Sequence, residues 1–287
     1  MNQKKVTILD LQEKKQKGQR ITMLAAYDYP TARLVDQAGI DIILVGDSVG
    51  MVLLGYEHTV PVTMGEMLHY CRAVARGAKH TLLVGDMPFL SYQVDVKEAI
   101  RNAGRFLKEG DMDVVKLEGG REIAPTAKAI VDAGIPVMGH IGLTPQTISK
   151  LGGYRVQGRD VATAKNLIDD AAALEQAGVF SLLLEAIPSP VAKLITQRAS
   201  MPTIGIGSGP DCDGQSLVFH DLAGLIERAL PRFVKQYVNV LPTIREALRT
   251  YREEVTAGVF PGPEHSYGMS GEALHALLGE LGEEPTN

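Results

Sequence analysis

Short apolar runs recur along the chain, and the clearest of them end on an acid. Ile42, Ile43, Leu44 and Val45 stop at Gly46 and deliver Asp47 and Ser48. TLLVGDMP at 81–88 closes on Asp86, and DVVKLEGG at 113–120 closes on Glu118. Unbroken apolar runs of this length, bounded by turn residues, are the pattern of strands covered on both faces. The stretches between them repeat apolar positions at helical spacing. In 63–76 these are Met64, Met67, Leu68, Cys71, Val74 and Ala75.

Taken in order, the pattern predicts a helix over 6–17 and a strand over 21–27, ending at Asp28. A helix over 31–38 follows, stopped by Gly39, then a strand over 40–48 and the helix over 63–76. Next come strand 80–87, helix 94–108, strand 113–118 and helix 121–132. Strand 135–141 carries His140, and helix 161–177 leads to strand 180–186, which carries Glu185. Helix 190–198, strand 202–207 and an eighth strand at 215–219 complete the alternation. Glycine closes several of the helices, a usual terminator. Beyond the strands, short helices are expected at 222–227 and 231–237, and longer ones at 244–256 and 271–281.

Strands separated by helices require parallel crossovers. Eight such units in a chain of 287 residues fit a closed (β/α)8 barrel, whose usual size is roughly 250 residues. An open doubly wound sheet is the competing α/β architecture. It would more often carry a nucleotide fingerprint, and no GxGxxG or GxxxxGK[ST] follows the first strand. The cluster Gly205-Ile206-Gly207-Ser208-Gly209 fits either an anion site at a barrel mouth or a simple tight loop. Leu274, Leu277, Leu278 and Leu281 share one helical face, suited to packing on the body or on a neighbouring subunit.

Charge narrows the function. The balance is 29 − 34 = −5, with no basic footprint for nucleic acid or an anionic membrane. Lys4, Lys5, Lys14, Lys15, Lys17 and Arg20 are interleaved with other residues and read as a solvated helix face. No apolar run approaches the about 18 residues of a membrane span, and none at the start suits a signal peptide. Cys71 and Cys212 are far apart with no CxxC, which suits a reducing compartment and argues against a zinc site. A cytoplasmic protein is therefore expected.

The strand-ending side chains carry the candidate chemistry: Asp28, Asp47 with Ser48, Asp86, Glu118, His140 and Glu185. In (β/α)8 enzymes the active site lies at the C-terminal mouth, where these groups converge. Each acid alone has the alternative of capping the next helix. Together, Asp47, Asp86 and Glu118 repel one another unless a cation or proton intervenes. Their hard oxygens favour Mg²⁺ or Mn²⁺ over Zn²⁺. Lys116, two residues before Glu118, faces the same side of its strand. It can pair with the acids or with a substrate carboxylate, and a purely structural ion pair is the alternative. His140 is either a donor to a developing oxyanion or a structural histidine. Glu185, after the apolar run SLLLEA at 181–186, is a candidate general base or a plain helix-entry acid.

The chain resembles the ketopantoate hydroxymethyltransferase family in ITMLAAYDYPTA (21–32), ILVGDSVGMVLLGYEHTVPVT (43–63), VGDMPFLSY (84–92) and VKLEGG (115–120). The likeness continues through GHIGLTPQ (139–146), GGYRVQGR (152–159), LLLEAIP (182–188), IGIGSGPDCDGQSLVFHDLAG (204–224) and FPGPEHSY (260–267). The resemblance implies a barrel of the phosphoenolpyruvate/pyruvate type, taken as one domain over 1–267 with an N-terminal helix; the tail over 268–287 lies outside the likeness and is expected to be helical from its leucine spacing alone. The resemblance also implies transfer of a hydroxymethyl group from 5,10-methylenetetrahydrofolate to 3-methyl-2-oxobutanoate. The product is 2-dehydropantoate, made through a Mg²⁺-stabilised enolate in pantothenate and coenzyme A synthesis. It puts Asp47, Asp86 and Glu118 at the Mg²⁺ positions and Asp47, Ser48, Asp86 and Lys116 at the oxoacid positions. Glu185 falls at the proton acceptor, with His140 supporting the enolate or the new hydroxyl. A homodecamer of two stacked pentameric rings is implied as well. Rival readings are a lyase or mutase of the same barrel group, disfavoured by GGYRVQGR with FPGPEHSY, and a non-catalytic scaffold, disfavoured by the complete ligand set.

Overall fold

Eight parallel strands hydrogen-bond in sequence order, and the first pairs with the last, closing a barrel in the computed structural model, which describes residues 4–283. The chain separates into two compact units, one ending at Val238 and one starting at Asn239. The first opens with α1 (Ile8–Gln16), β1 (Ile21–Ala25), α2 (Tyr29–Gln37), β2 (Ile42–Val45) and two helices, α3 (Val49–Val52) and α4 (Met64–Gly77). β3 (Leu82–Asp86), α5 (Val96–Gly110), β4 (Val114–Glu118), α6 (Ala124–Asp132) and β5 (Val137–Gly142) follow. The short α7 (Ile148–Leu151) precedes α8 (Val161–Gln176), β6 (Ser181–Glu185), α9 (Ser189–Arg198), β7 (Thr203–Ile206), β8 (Gly214–Val218) and α10 (Phe219–Ala223).

The helices begin where side-chain oxygens can take up their free N–H groups. Thr7, Asp28, Thr63, Asp95 and Asp160 are N-caps, each accepting from a backbone N–H in the first turn. Asp28 is thus a cap, the alternative reading of a strand-ending acid. Its carboxylate accepts from Thr31 N at 2.8 Å and Thr31 Oγ1 at 2.9 Å. The buried apolar faces of these helices close over the strands. One core takes in residues of all eight strands or their flanks, from Ile21 and Ile42 to Leu182 and Ile204.

Lys4 and Lys17 are solvated as expected, but three other N-terminal lysines reach across to the barrel. Lys5 pairs with Asp113 at 2.6 Å, Lys15 with Asp213 at 2.7 Å, and Lys14 with Asp41. These aspartates lie just before β4, β8 and β2, at the N-terminal end of the barrel. Lysine stems can lie along apolar surface while the ammonium reaches an acid. The acids they meet are remote in sequence, so spacing did not reveal them.

The short helices expected at 222–227 and 231–237 are not formed. Gly224 takes a left-handed φ of 65° and ends α10. Beyond it, Tyr237 N donates back to Leu222 O at 3.0 Å, folding that segment into a return loop. Residues 239–267, grouped with the barrel on sequence, lie in the second unit. That unit holds α11 (Leu241–Thr256) and α12 (Gly271–Leu281), neither with a buried residue. Tyr251, Phe260 and His265 form a chain of ring contacts within it, at 5.8 and 5.0 Å. Residues 284–287 of the expected helical tail lie outside the described residues. No described helix is long and apolar enough to cross a membrane.

Candidate active site

The strands bring six of the seven expected side chains to the C-terminal mouth by their own ends. Asp86, Glu118 and Glu185 are the last residues of β3, β4 and β6, and Asp47 follows β2 closely. Register then sets neighbours. Asp86 is the cross-strand partner of Lys116, and Glu118 that of His140. Gly142 pairs with Glu185 at the next position round. Gly142 has a φ of 99°, and a Cβ there would lie 2.2 Å from the Glu185 carbonyl oxygen. Glycine is what lets β5 and β6 stay together up to the site.

Asp47, Asp86 and Glu118 are all buried, and each can offer a carboxylate oxygen within 4.8 Å of the others. The Asp47 N–H donates to Asp86 Oδ2 at 3.0 Å. Lys116, 2% exposed, sits among them, with Nζ 2.8 Å from Asp86 Oδ1 and 3.2 Å from Glu118 Oε1. Its Nζ is also 3.2 Å from His140 Nδ1. The other imidazole nitrogen, Nε2, lies 3.2 Å from Glu185 Oε2. Glu185 is the partly exposed member of the group, its side chain 16% accessible. Ser48, the seventh residue, meets Tyr27 with its Oγ 2.8 Å from the phenol oxygen.

Burial first, then the charges of Asp86 and Glu118, push the Asp47 carboxyl well above the usual range. Burial raises Asp86 too, against the pull of Lys116. For Glu118 burial is outweighed by Lys116 and His140, which hold it down to about 2. Burial and Lys116 oppose a second proton on His140, but Glu118 and Glu185 outweigh them and lift it to about 9. Lys116 overcomes its own burial through the surrounding carboxylates and is held above the ordinary lysine range.

Four acids, Asp47, Asp86, Glu118 and Glu185, share two basic groups, Lys116 and His140. Asp86 Oδ1 has the Lys116 ammonium at 2.8 Å as its partner. A buried set of three carboxylates with oxygens within 4.8 Å of one another fits a hard divalent cation, and Mg²⁺ or Mn²⁺ better than zinc.

Two residues of the site were missed on sequence. Gln146, in a short 3-10 turn, and Tyr92, in a loop, lie outside the long periodic elements; Gln146 hydrogen-bonds to the Asp47 and Glu118 carboxylates and Tyr92 to the Glu118 backbone. Only their inclusion in VGDMPFLSY and GHIGLTPQ hinted at them. The glycine cluster runs from the end of β7 into a loop pinned by Ser208. Ser208 Oγ donates to Leu184 O at 2.7 Å and accepts from Ile187 N at 3.2 Å. Just beyond Glu185, Ala186 has a φ of 48°. Its N–H donates to Ile206 O and its carbonyl accepts from Gln157 N, so both sides of the strained residue are fastened.

Comparison with known proteins identifies the family and the fold. The family model described as ketopantoate hydroxymethyltransferase matches residues 5–263. A 3-methyl-2-oxobutanoate hydroxymethyltransferase of Heliobacterium modesticaldum is 58% identical over 269 residues, covering 94% of this chain and 98% of that protein. Another, from Moorella thermoacetica, is 58% identical over 263 residues, covering 92% and 98%. Among solved structures, a phosphoenolpyruvate phosphomutase from Streptomyces platensis subsp. rosaceus superposes with a TM-score of 0.59. It is 14% identical, with 96% of each chain covered, a likeness of fold alone.

Proposed function

The chain belongs to the ketopantoate hydroxymethyltransferase family, and from that premise we propose the reaction and the role of each residue at the mouth. The chain transfers a hydroxymethyl group from 5,10-methylenetetrahydrofolate to 3-methyl-2-oxobutanoate, giving 2-dehydropantoate for pantothenate synthesis. The observation that carries this reading is the buried trio Asp47, Asp86 and Glu118 gathered around Lys116.

Asp47, Asp86 and Glu118 would hold Mg²⁺. A divalent cation there supplies Lewis-acid stabilisation of negative charge developing on a 2-oxoacid. Lys116 supplies a fixed positive charge for the substrate carboxylate, and Ser48, held by Tyr27, supplies a hydroxyl. Asp47 and Asp86 border the same oxoacid position. Glu185 removes the C3 proton, one of its oxygens being engaged by His140 and the other left to accept. His140 orients Glu185 and offers a donor to the enolate or the new hydroxyl. The carbon freed of its proton then attacks the one-carbon unit of the folate. Water provides the hydroxyl oxygen, and tetrahydrofolate leaves.

A homodecameric assembly and a cytoplasmic location belong to the same proposal. The second is supported by two buried cysteines, both free thiols. The reading is tested by incubating the protein with 3-methyl-2-oxobutanoate and methylenetetrahydrofolate, with and without Mg²⁺. Metal-dependent formation of 2-dehydropantoate is expected. A folded, metal-loaded protein that makes none would contradict the assignment.

A further inference from the structure

We infer that Gln146 is a positioning residue that sets the spacing of Asp47 and Glu118, with Tyr92 fixing Gln146 in turn. The inference rests on the metal reading above and extends it to residues that touch no ligand themselves.

Gln146 belongs to a 3-10 turn, Pro145–Thr147, after β5, and is 3% exposed. Its backbone N–H donates to Glu118 Oε2 at 3.0 Å. Its side-chain Nε2 donates to Asp47 Oδ2 at 2.9 Å and to the Met87 carbonyl at 2.9 Å. Its Oε1 accepts from the Tyr92 hydroxyl at 2.8 Å. One residue therefore bridges the acid after β2 and the acid that ends β4. Turning the amide round would set its oxygen against a carboxylate and a carbonyl, two acceptors, so the network fixes its orientation. Tyr92, 2% exposed, is anchored at Glu118: its hydroxyl accepts from Glu118 N at 3.0 Å and lies 3.1 Å from Glu118 O.

The residue type matters. A lysine or arginine here would neutralise the trio and compete with a cation, and a glutamate would add to the repulsion. The neutral side-chain amide ties one oxygen of Asp47 while the backbone N–H of the same residue ties one of Glu118, and neither changes the charge. Two mutually repelling carboxylates are thereby held at ligand spacing before the cation arrives. Outer partners that orient ligands in this way commonly govern affinity.

The test is titration of the full-length protein with Mn²⁺ alone, read by the electron paramagnetic resonance of the free ion, without oxoacid or folate. Gln146→Leu should bind roughly 10–100-fold more weakly, the usual cost of losing an orienting partner. Tyr92→Phe removes one oxygen and keeps the packing, so it decides the matter if Gln146→Leu does not fold. It should weaken binding by about tenfold, at the low end of the same range. Thr203→Val, at the opposite end of the barrel, is the control. It removes the Thr203 hydroxyl contacts with Asp213 and Thr196, which should lower the melting temperature and leave Mn²⁺ affinity at the wild-type value. Wild-type affinity in the folded Gln146 and Tyr92 variants, or equal weakening in Thr203→Val, would overturn the inference and leave the metal reading intact. A wild-type protein that binds no Mn²⁺ would overturn both.

Discussion

The two ends of the barrel both carry aspartates, and treat them in opposite ways. At the N-terminal end each acid is given donors. Asp41 Oδ2 accepts from Thr22 N and Oγ1, both at 2.9 Å, and the Asp41 N–H returns a bond to Thr22 Oγ1 at 3.0 Å. Asp213 and Thr203 repeat the device with 2.8, 3.0 and 3.3 Å. Asp113 takes Leu83 N, and Asp36 takes His80 N, Thr81 N and Thr81 Oγ1. Lysines from or beside α1 complete Asp41, Asp113 and Asp213. At the C-terminal mouth three acids crowd within ligand spacing of one another around one lysine, with further donors from Gln146 and the Asp47 N–H. Burial raises Asp47 and Asp86 there. At Asp36 burial acts in the same sense but is overcome by the Thr81 and His80 hydrogen bonds, leaving its carboxyl far below the usual range. One set of acids closes the barrel. The other crowds buried carboxylates together, the kind of arrangement found at sites of chemistry.

The largest expected effect that separates the ends is loss of the cation. Chelation should abolish turnover and added Mg²⁺ should restore it, while the fold, fastened at the other end, keeps its circular dichroism. Full activity in rigorously metal-free protein would remove the mouth acids from their assigned role.

Lys116→Met comes next. It takes the fixed positive charge from the mouth, and 3-methyl-2-oxobutanoate should bind roughly 10–100-fold more weakly, matching the 1.5–3 kcal/mol of a hydrogen bond to a charged group. Calorimetry on the folded variant measures this. Unchanged affinity would make Lys116 a structural partner of Asp86 and Glu118 only.

The smallest effect lies at the other end and concerns stability. Asp36→Asn should leave turnover per folded molecule unchanged and flatten the acid limb of the stability curve. The sign follows from the lowered carboxyl of folded Asp36. Its contribution is complete above the unfolded value of about 3.9 and fades as pH falls below it toward the folded value. Urea unfolding from pH 6 to pH 3 should therefore show wild type losing its advantage over the variant. Parallel curves would show that Asp36 carries no such linkage.

The mouth was more legible in the sequence than the closed end, for a physical reason. A strand that is buried on both faces and ends in a carboxylate repeats the same local text, as at Asp47, Asp86 and Glu118. Lys116 follows from the strand period alone. The pairing of Lys5 with Asp113 joins positions 108 apart, and no local pattern reports it. Gln146 and Tyr92 escaped because residues in loops and short turns have no period to betray which way they face. The helices expected at 222–227 and 231–237 failed for a local reason: Gly224 ends α10 in the left-handed region, and the following segment returns on itself.

If the mouth takes a proton from a 2-oxoacid as proposed, Glu185 is the group that accepts it. Hydrogen exchange at C3 of 3-methyl-2-oxobutanoate tests it without the folate step. In heavy water with Mg²⁺, the wild-type protein should exchange that proton with no folate present. Glu185→Gln keeps the shape, should still bind metal and oxoacid, and should exchange roughly 10²–10⁴-fold more slowly, the usual loss on removing a general base. Exchange at the wild-type rate in a folded Glu185→Gln protein would contradict the account and direct attention to His140.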